Sequence, residues 1–212
     1  MNISIAAKIM NKAGKQITIE PDKLVEINPP YENYHYLKKV REEWEFGLLL
    51  VERQEIPNEK VIKLFKSEKE AAVYFLMNRL SAFYFAKRIR PFMMKQEGFD
   101  IGGPEFNERK FHEAIYLVGI PPTLFSLNET ISKANRIIVE VEGEDEKFIV
   151  KYRGEDGKTI SSTLPVSKKR ALFFAFKKLF LFHLFNKEIK DLLLEHGEGN
   201  DITDEDISVF LT

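Results

Sequence analysis

Four histidines, His35, His112, His183 and His196, are the side chains best suited to move protons or hold a metal near neutral pH. None lies in an HExxH or other ligand spacing, and the chain has no cysteine to complete a metal set or act as a nucleophile. Glu113 follows His112, but on the helix expected there adjacent side chains point in different directions, which suits acid–base pairing poorly. His183 falls within a Phe-rich helix, the setting of a packed imidazole. Glu52 joins His112 and Glu113 as the only acid–base set an unfamiliar enzyme could use, and that reading ranks last. Gly102-Gly103-Pro104 lacks the GxxxxGK[ST] or GxGxxG spacing and follows no strand, so it reads as a flexible joint and not a phosphate loop. Asp204-Glu205-Asp206 lacks the ligand periodicity of a calcium loop. The expectation is a non-enzymatic protein with no catalytic, metal or cofactor residues.

Two charge clusters remain. Glu140, Glu142, Glu144, Asp145 and Glu146 crowd one strand and its turn. Such a cluster is usually a solvated face; its functional use would be to steer a basic protein partner, and these five are the candidate partner-binding residues. Lys168, Lys169, Arg170, Lys177 and Lys178 could meet phosphate, yet they also form the solvated start and side of an apolar helix. A net charge of −1 argues neither for nucleic acid nor against it.

The elements that must position these residues show an internal echo. At an offset of 100 positions, the separation of Ser67 from Ser167, Arg53 meets Arg153, Leu64 meets Leu164, Lys69 meets Lys169, Ala71 meets Ala171, Phe85 meets Phe185 and Ile89 meets Ile189. Upstream, Pro21, Leu24 and Asn28 meet Pro121, Leu124 and Asn128. One offset kept across a loop motif, strands and a long helix reads as a duplicated unit. Each copy is expected to open with a helix, Ile3 to Ala13 closed by Gly14 and Phe106 to Val118 closed by Gly119. A Pro-containing turn follows at Pro21 and at Pro121-Pro122. Three strands come next: Tyr34 to Val40, Glu43 to Arg53 and Lys60 to Lys66, then Arg136 to Glu142, Lys147 to Tyr152 and Lys158 to Leu164.

A long helix ends each copy. Ser67 with Glu70 makes a capping box; Ser167 keeps the cap while Arg170 replaces the acid. Val73, Leu76, Met77, Leu80 and Tyr84 mark the inner face of the first, and Pro91 should end or bend it. The second, Ala171 to Leu194, is apolar on nearly every face, with six Phe from Phe173 to Phe185. It must be covered on several sides, by the sheet and the other unit first, with homodimerisation or a partner groove as the other use. The fold class is therefore α+β: two related units, each a helix, a small antiparallel sheet of about three strands, and a long C-terminal helix packed on it. The expected division is 1–95 for the first unit, 96–105 for a Gly/Pro-containing joint, 106–196 for the second unit and 197–212 for an acidic tail that docks through Ile207, Val209, Phe210 and Leu211.

A hydrophobic fraction of 44% with 31% charged residues suits a globular chain. Ala171 to Phe185, the most hydrophobic stretch, is broken by Lys177 and Lys178 and falls short of a bilayer span. With no basic, apolar leader at Met1, the expectation is a cytoplasmic protein without membrane association.

Trp44 on a strand, Glu52-Arg53, the run Leu64-Phe65-Lys66-Ser67-Glu68-Lys69-Glu70-Ala71, Tyr74-Phe75, and Gly119-Ile120-Pro121-Pro122-Thr123-Leu124-Phe125-Ser126-Leu127-Asn128 together resemble a pattern of small cytosolic proteins of Gram-positive bacteria. Many of these are similar to immunity proteins of polymorphic or contact-dependent toxin systems. The resemblance implies a module that binds one cognate toxin domain and occludes its active site; no binding residue is carried over from it. The alternative is a nucleic-acid-associated regulatory protein using the basic helix starts.

Overall fold

The computed structural model describes residues 1–27, 32–51, 58–127, 134–143 and 147–212. The chain is α+β with two sheets, and it divides into two compact units. One comprises Met1–Leu80 with Glu188–Asp206, the other Ser81–Lys187 with Ile207–Thr212. The expected joint at 96–105 lies wholly inside the second of these, and the expected tail is shared between them.

In the first unit α1 (Ile3–Lys12) begins where Asn2 Oδ1 accepts from the Ile5 amide at 2.9 Å. Five antiparallel strands follow in chain order: β1 (Ile17–Glu20), β2 (Lys23–Glu26), β3 (Tyr34–Val40), β4 (Glu43–Leu50) and β5 (Asn58–Phe65). Three strands were expected. The extra two come from the Pro21-Asp22 segment, which is the tip of a tight hairpin with Asp22 in the left-handed region. The next helix, α2 (Glu68–Tyr84), covers one face of this sheet. Phe46 meets Tyr74 and Phe75 edge-on at 5.3 and 6.0 Å, and Phe65 meets Tyr74 at 5.1 Å. Val73, Leu76, Met77 and Leu80 are buried as their spacing requires.

On the opposite face Tyr36 lies flat over Gly47, its cross-strand partner; a Cβ there would collide with the Tyr36 ring, so only glycine fits. Beside that point β4 and β5 slip by a residue. This bulge, with Lys60 and Lys63, guards β5, a strand exposed along most of its length.

In the second unit the segment after the helical run 68–95 is pinned. Asp100 Oδ2 accepts from the Glu105 amide at 2.7 Å, and the Gly103 amide donates to the Asp100 carbonyl at 2.8 Å. The flexible joint expected at Gly102-Gly103-Pro104 is thus a hydrogen-bonded turn. After it come α4 (Glu108–Val118), β6 (Phe125–Leu127), β7 (Arg136–Glu142), β8 (Lys147–Arg153), β9 (Thr159–Ser162) and α5 (Lys168–Leu184). The four strands lie in chain order, with β7, β8 and β9 antiparallel and β6 added parallel to β7. An all-antiparallel sheet was expected here; Phe125–Leu127, read as part of a loop, supplies the parallel edge. Tyr152 of β8 packs on Phe182 of α5 at 5.4 Å. From α7 (Asp204–Phe210) the buried Phe210 reaches Tyr84 and Phe185 at 6.1 and 5.6 Å.

The helical runs keep the offset of 100. α2, a π-helical turn Phe85–Ile89 and α3 (Arg90–Lys95) are matched by α5, a π-helical turn Phe185–Ile189 and α6 (Lys190–Glu195). The sheets do not keep it. Tyr34 and Arg136 open the strands at a separation of 102, while Glu43 and Lys147 open the next pair at 104. Four residues separate β7 from β8 where two separate β3 from β4, which accounts for that change. Pro91 does not end its helix, and it is not the cause of the wide turn, since Asp191 occupies the matching place in the second run. There Asn186 Nδ2 donates to the Phe182 carbonyl at 2.8 Å, inserting a side chain into the helical ladder.

The two long helices differ at their caps. Ser67 Oγ accepts from the Glu70 amide at 3.2 Å, whereas Ser167 holds the cap position with no side-chain bond. Ser67→Ala should therefore lower stability by about 1 kcal/mol and Ser167→Ala by close to nothing. Urea unfolding of the two variants reads the difference; equal losses would contradict the cap assignment.

Candidate functional site

Several of the acid–base candidates are held by a neighbour. His112, on the exposed side of α4, rests against Phe111 and Phe125 at 5.8 and 5.6 Å between ring centres. Glu113 accepts from Arg109 Nη1 one turn earlier at 2.7 Å. His35 stacks on Phe46 at 5.4 Å, and His196 Nδ1 lies 2.9 Å from the Leu192 carbonyl. His183 is half-buried on α5. Glu52 lies outside the described residues. Among the described residues no three His, Asp or Glu side chains are grouped to hold a metal ion, and no helix is long and apolar enough to cross a membrane.

One titratable cluster escaped the sequence reading. Glu26 ends β2 on the same inward parity as the buried Leu24, and its side chain is 1% exposed. Its Oε1 accepts from Arg79 Nε of α2 at 2.8 Å and from Lys15 Nζ at 3.0 Å. Oε2 accepts from the His35 amide at 2.9 Å and lies 3.2 Å from His35 Nδ1. Burial alone would raise this carboxyl, but the His35 hydrogen bonds and the Arg79 and Lys15 charges outweigh it and hold the group far below the carboxylate range. Both oxygens are occupied, so Glu26 ties β2, β3, α2 and the turn after α1 together and has no free lone pair aimed at a substrate. An inward-parity acid in a four-residue strand was the available signal.

Of the five acidic partner-binding candidates, Glu140 and Glu142 lie among the described residues. Glu140, on the β7 face turned away from α5, is shared by Lys151 Nζ at 2.5 Å and Arg153 Nη2 at 3.4 Å. Glu142 is exposed opposite Lys147, and Glu144, Asp145 and Glu146 lie outside the described residues. The basic helix start is engaged as well. Lys168 pairs with Glu108 at 2.8 Å, Arg170 lies over Phe174 and Lys177 over Phe85. Lys178 Nζ donates to the Leu211 carbonyl at 2.9 Å; burial, then the neighbouring Lys177 charge, push its amine down to about 8.

What the second unit does offer is an apolar groove of about 690 Å³. Asn107 Oδ1 caps α4 by accepting from the Lys110 amide at 3.1 Å. Gly119, at φ +79°, ends it in the left-handed conformation, and the Ile120 amide turns back to the Ile115 carbonyl at 3.0 Å. That reversal lays Pro121, Pro122 and Phe125 alongside Ile115 and Tyr116. Tyr116 is 86% exposed on its lip, and the adjacent Leu117 53%. His112 and Glu113 belong to this groove too, as lining and not as a reacting pair. Sequence reasoning took Gly119-Ile120-Pro121-Pro122 as a turn and missed the groove beneath it.

No protein-family model, curated protein or solved structure matches this chain.

The Glu26 cluster makes stability depend on acid. A carboxyl held below its unfolded value stabilises the fold above pH about 4, and that contribution is lost as pH falls through the folded value. Glu26→Gln should cost about 3 kcal/mol at pH 7 and flatten the fall in stability from pH 6 to pH 3. Urea midpoints across that range measure both; an undiminished acid slope in the variant would rule out Glu26 as its source.

Proposed function

We propose that this chain is a non-enzymatic binding protein whose partner is another protein, and that α4 with the Gly119–Phe125 turn is its docking element. The observation that carries the reading is the groove with Tyr116 standing almost fully exposed on its lip. An aromatic side chain left in water beside an apolar trough is the composition of an interface anchor. Among the described residues, Glu26, Glu113, His35 and His196 are engaged by neighbouring groups, which favours recognition over reaction. The resemblance of Trp44–Phe75 and Gly119–Asn128 to immunity proteins narrows the proposal. On that reading the chain acts in the cytoplasm, neutralising a cognate toxin domain by steric occlusion of its active site.

Co-expression with the product of the adjacent gene, followed by size-exclusion chromatography, tests it. The two should co-elute, and Tyr116→Ala combined with Leu117→Ala should weaken the complex at least about tenfold in titration calorimetry, the loss typical of an anchoring aromatic. A double variant that binds as tightly as the parent would remove α4 from the interface, and failure to co-elute would remove the toxin reading.

A further inference from the structure

The α4 groove is open to water, and the charge of its lining has one sign. Neither Lys nor Arg lines it, and Glu113 is its one carboxylate. Glu113 and His112 stand three and four residues before Tyr116, so helical spacing puts the carboxylate and two rings on one stripe of α4. Phe125 adds a third ring, 5.6 Å from that of His112. The groove reaches Gly119 at the C-terminal end of α4, where the helix dipole is negative and the last turn holds no basic residue. Aromatic rings, a carboxylate and a negative helix end together suit a cation with an apolar body. Glu113 already has one cation in Arg109, a turn earlier at 2.7 Å. The side chains of Arg109 and Glu113 are 72% and 45% exposed, and an i,i+4 pair in water is weak, so a second cation can displace Arg109 at little cost.

We propose that the groove takes an arginine side chain, flanked by apolar residues, from the partner protein. The lining selects guanidinium: its plane stacks on rings and its fork meets a carboxylate through two parallel hydrogen bonds, whereas an ammonium is a compact, strongly hydrated point charge. A volume of about 690 Å³ leaves room beyond one side chain, and Ile115, Ile120 and Pro121 offer apolar surface to the residues on either side of the arginine. The inference rests on the reading of α4 as the docking element and adds what the docking segment must carry.

Titration of the full chain with the peptide acetyl-Leu-Arg-Leu-amide, followed by backbone amide NMR shifts, reads the site. The controls carry citrulline, which keeps the shape without the charge, or lysine at the central position. The arginine peptide should move the amides of residues 115–125 and bind about two- to fivefold more tightly than the citrulline peptide. Tyr116→Leu, which keeps an apolar side chain on the lip, and Glu113→Gln should each shrink that ratio. Arg109→Gln should widen it, because Glu113 loses its competing cation; a gain of binding cannot arise from misfolding. Citrulline matching arginine, shifts confined to other residues, or an unwidened ratio in Arg109→Gln would overturn the proposal. Lysine matching arginine would overturn the assignment to guanidinium. The docking reading is judged separately by co-elution: a complex that forms and is weakened by the Tyr116 and Leu117 double variant, while citrulline equals arginine, keeps the docking element and removes the arginine.

Discussion

A β-sheet with one apolar face is stable only when something covers that face, and in both units a helix does so. Phe46 against Tyr74 and Phe75 seats α2 on the first sheet, and Tyr152 against Phe182 seats α5 on the second. Aromatic edge-to-face contacts do this in each case. The covered face consumes the apolar alternation of the strands. What remains is the other face, where the charged residues Lys38 and Glu140 find partners in their own sheets.

The two outer faces solve that problem with opposite sign. On the first, Lys38 lies between Glu59 at 2.5 Å and Glu45 at 3.7 Å, one cation with two carboxylates. Burial, and Glu59 after it, raise the Tyr36 phenol beside them. On the second, Glu140 lies between Lys151 and Arg153, one carboxylate with two cations. Each centre is a three-charge cluster with one charge left over. Surface ion pairs of this kind contribute little to stability, because side-chain entropy and solvent screening offset the attraction.

Strands rich in aromatic or β-branched residues were legible to the residue: Tyr34–Val40 and Arg136–Glu142 match their expected bounds. Short elements were not. Ile17–Glu20, Lys23–Glu26 and Phe125–Leu127 hold three or four residues each, too few for periodicity to separate a strand from a turn. The pairing of Glu140 was hidden for a different reason. Charge read along one strand ignores the strand across from it, and the partner is set by hairpin register. The turn after Glu142 pairs Glu142 with Lys147, which places Ile138 opposite Lys151 and Arg136 opposite Arg153, so Glu140 falls between two cations that lie eleven and thirteen residues on. Glu26 was missed by the same route, since its three partners come from a turn, a neighbouring strand and a helix.

The α4 groove is an apolar feature that no sequence motif announces. Phe111, Ala114 and Ile115 are buried, so helical geometry forces residues 112, 113, 116 and 117 outward. At those outward positions stand His, Glu, Tyr and Leu. A lone exposed apolar residue is ordinary and calls for no explanation. Two in succession, just before a helix-ending glycine that folds an Ile-Pro-Pro segment back beside them, make a continuous apolar strip that the fold itself does not use. Had α4 needed only to be soluble, charged residues at 116 and 117 would have served its outer face better, with no loss to Phe111 or Ile115 beneath.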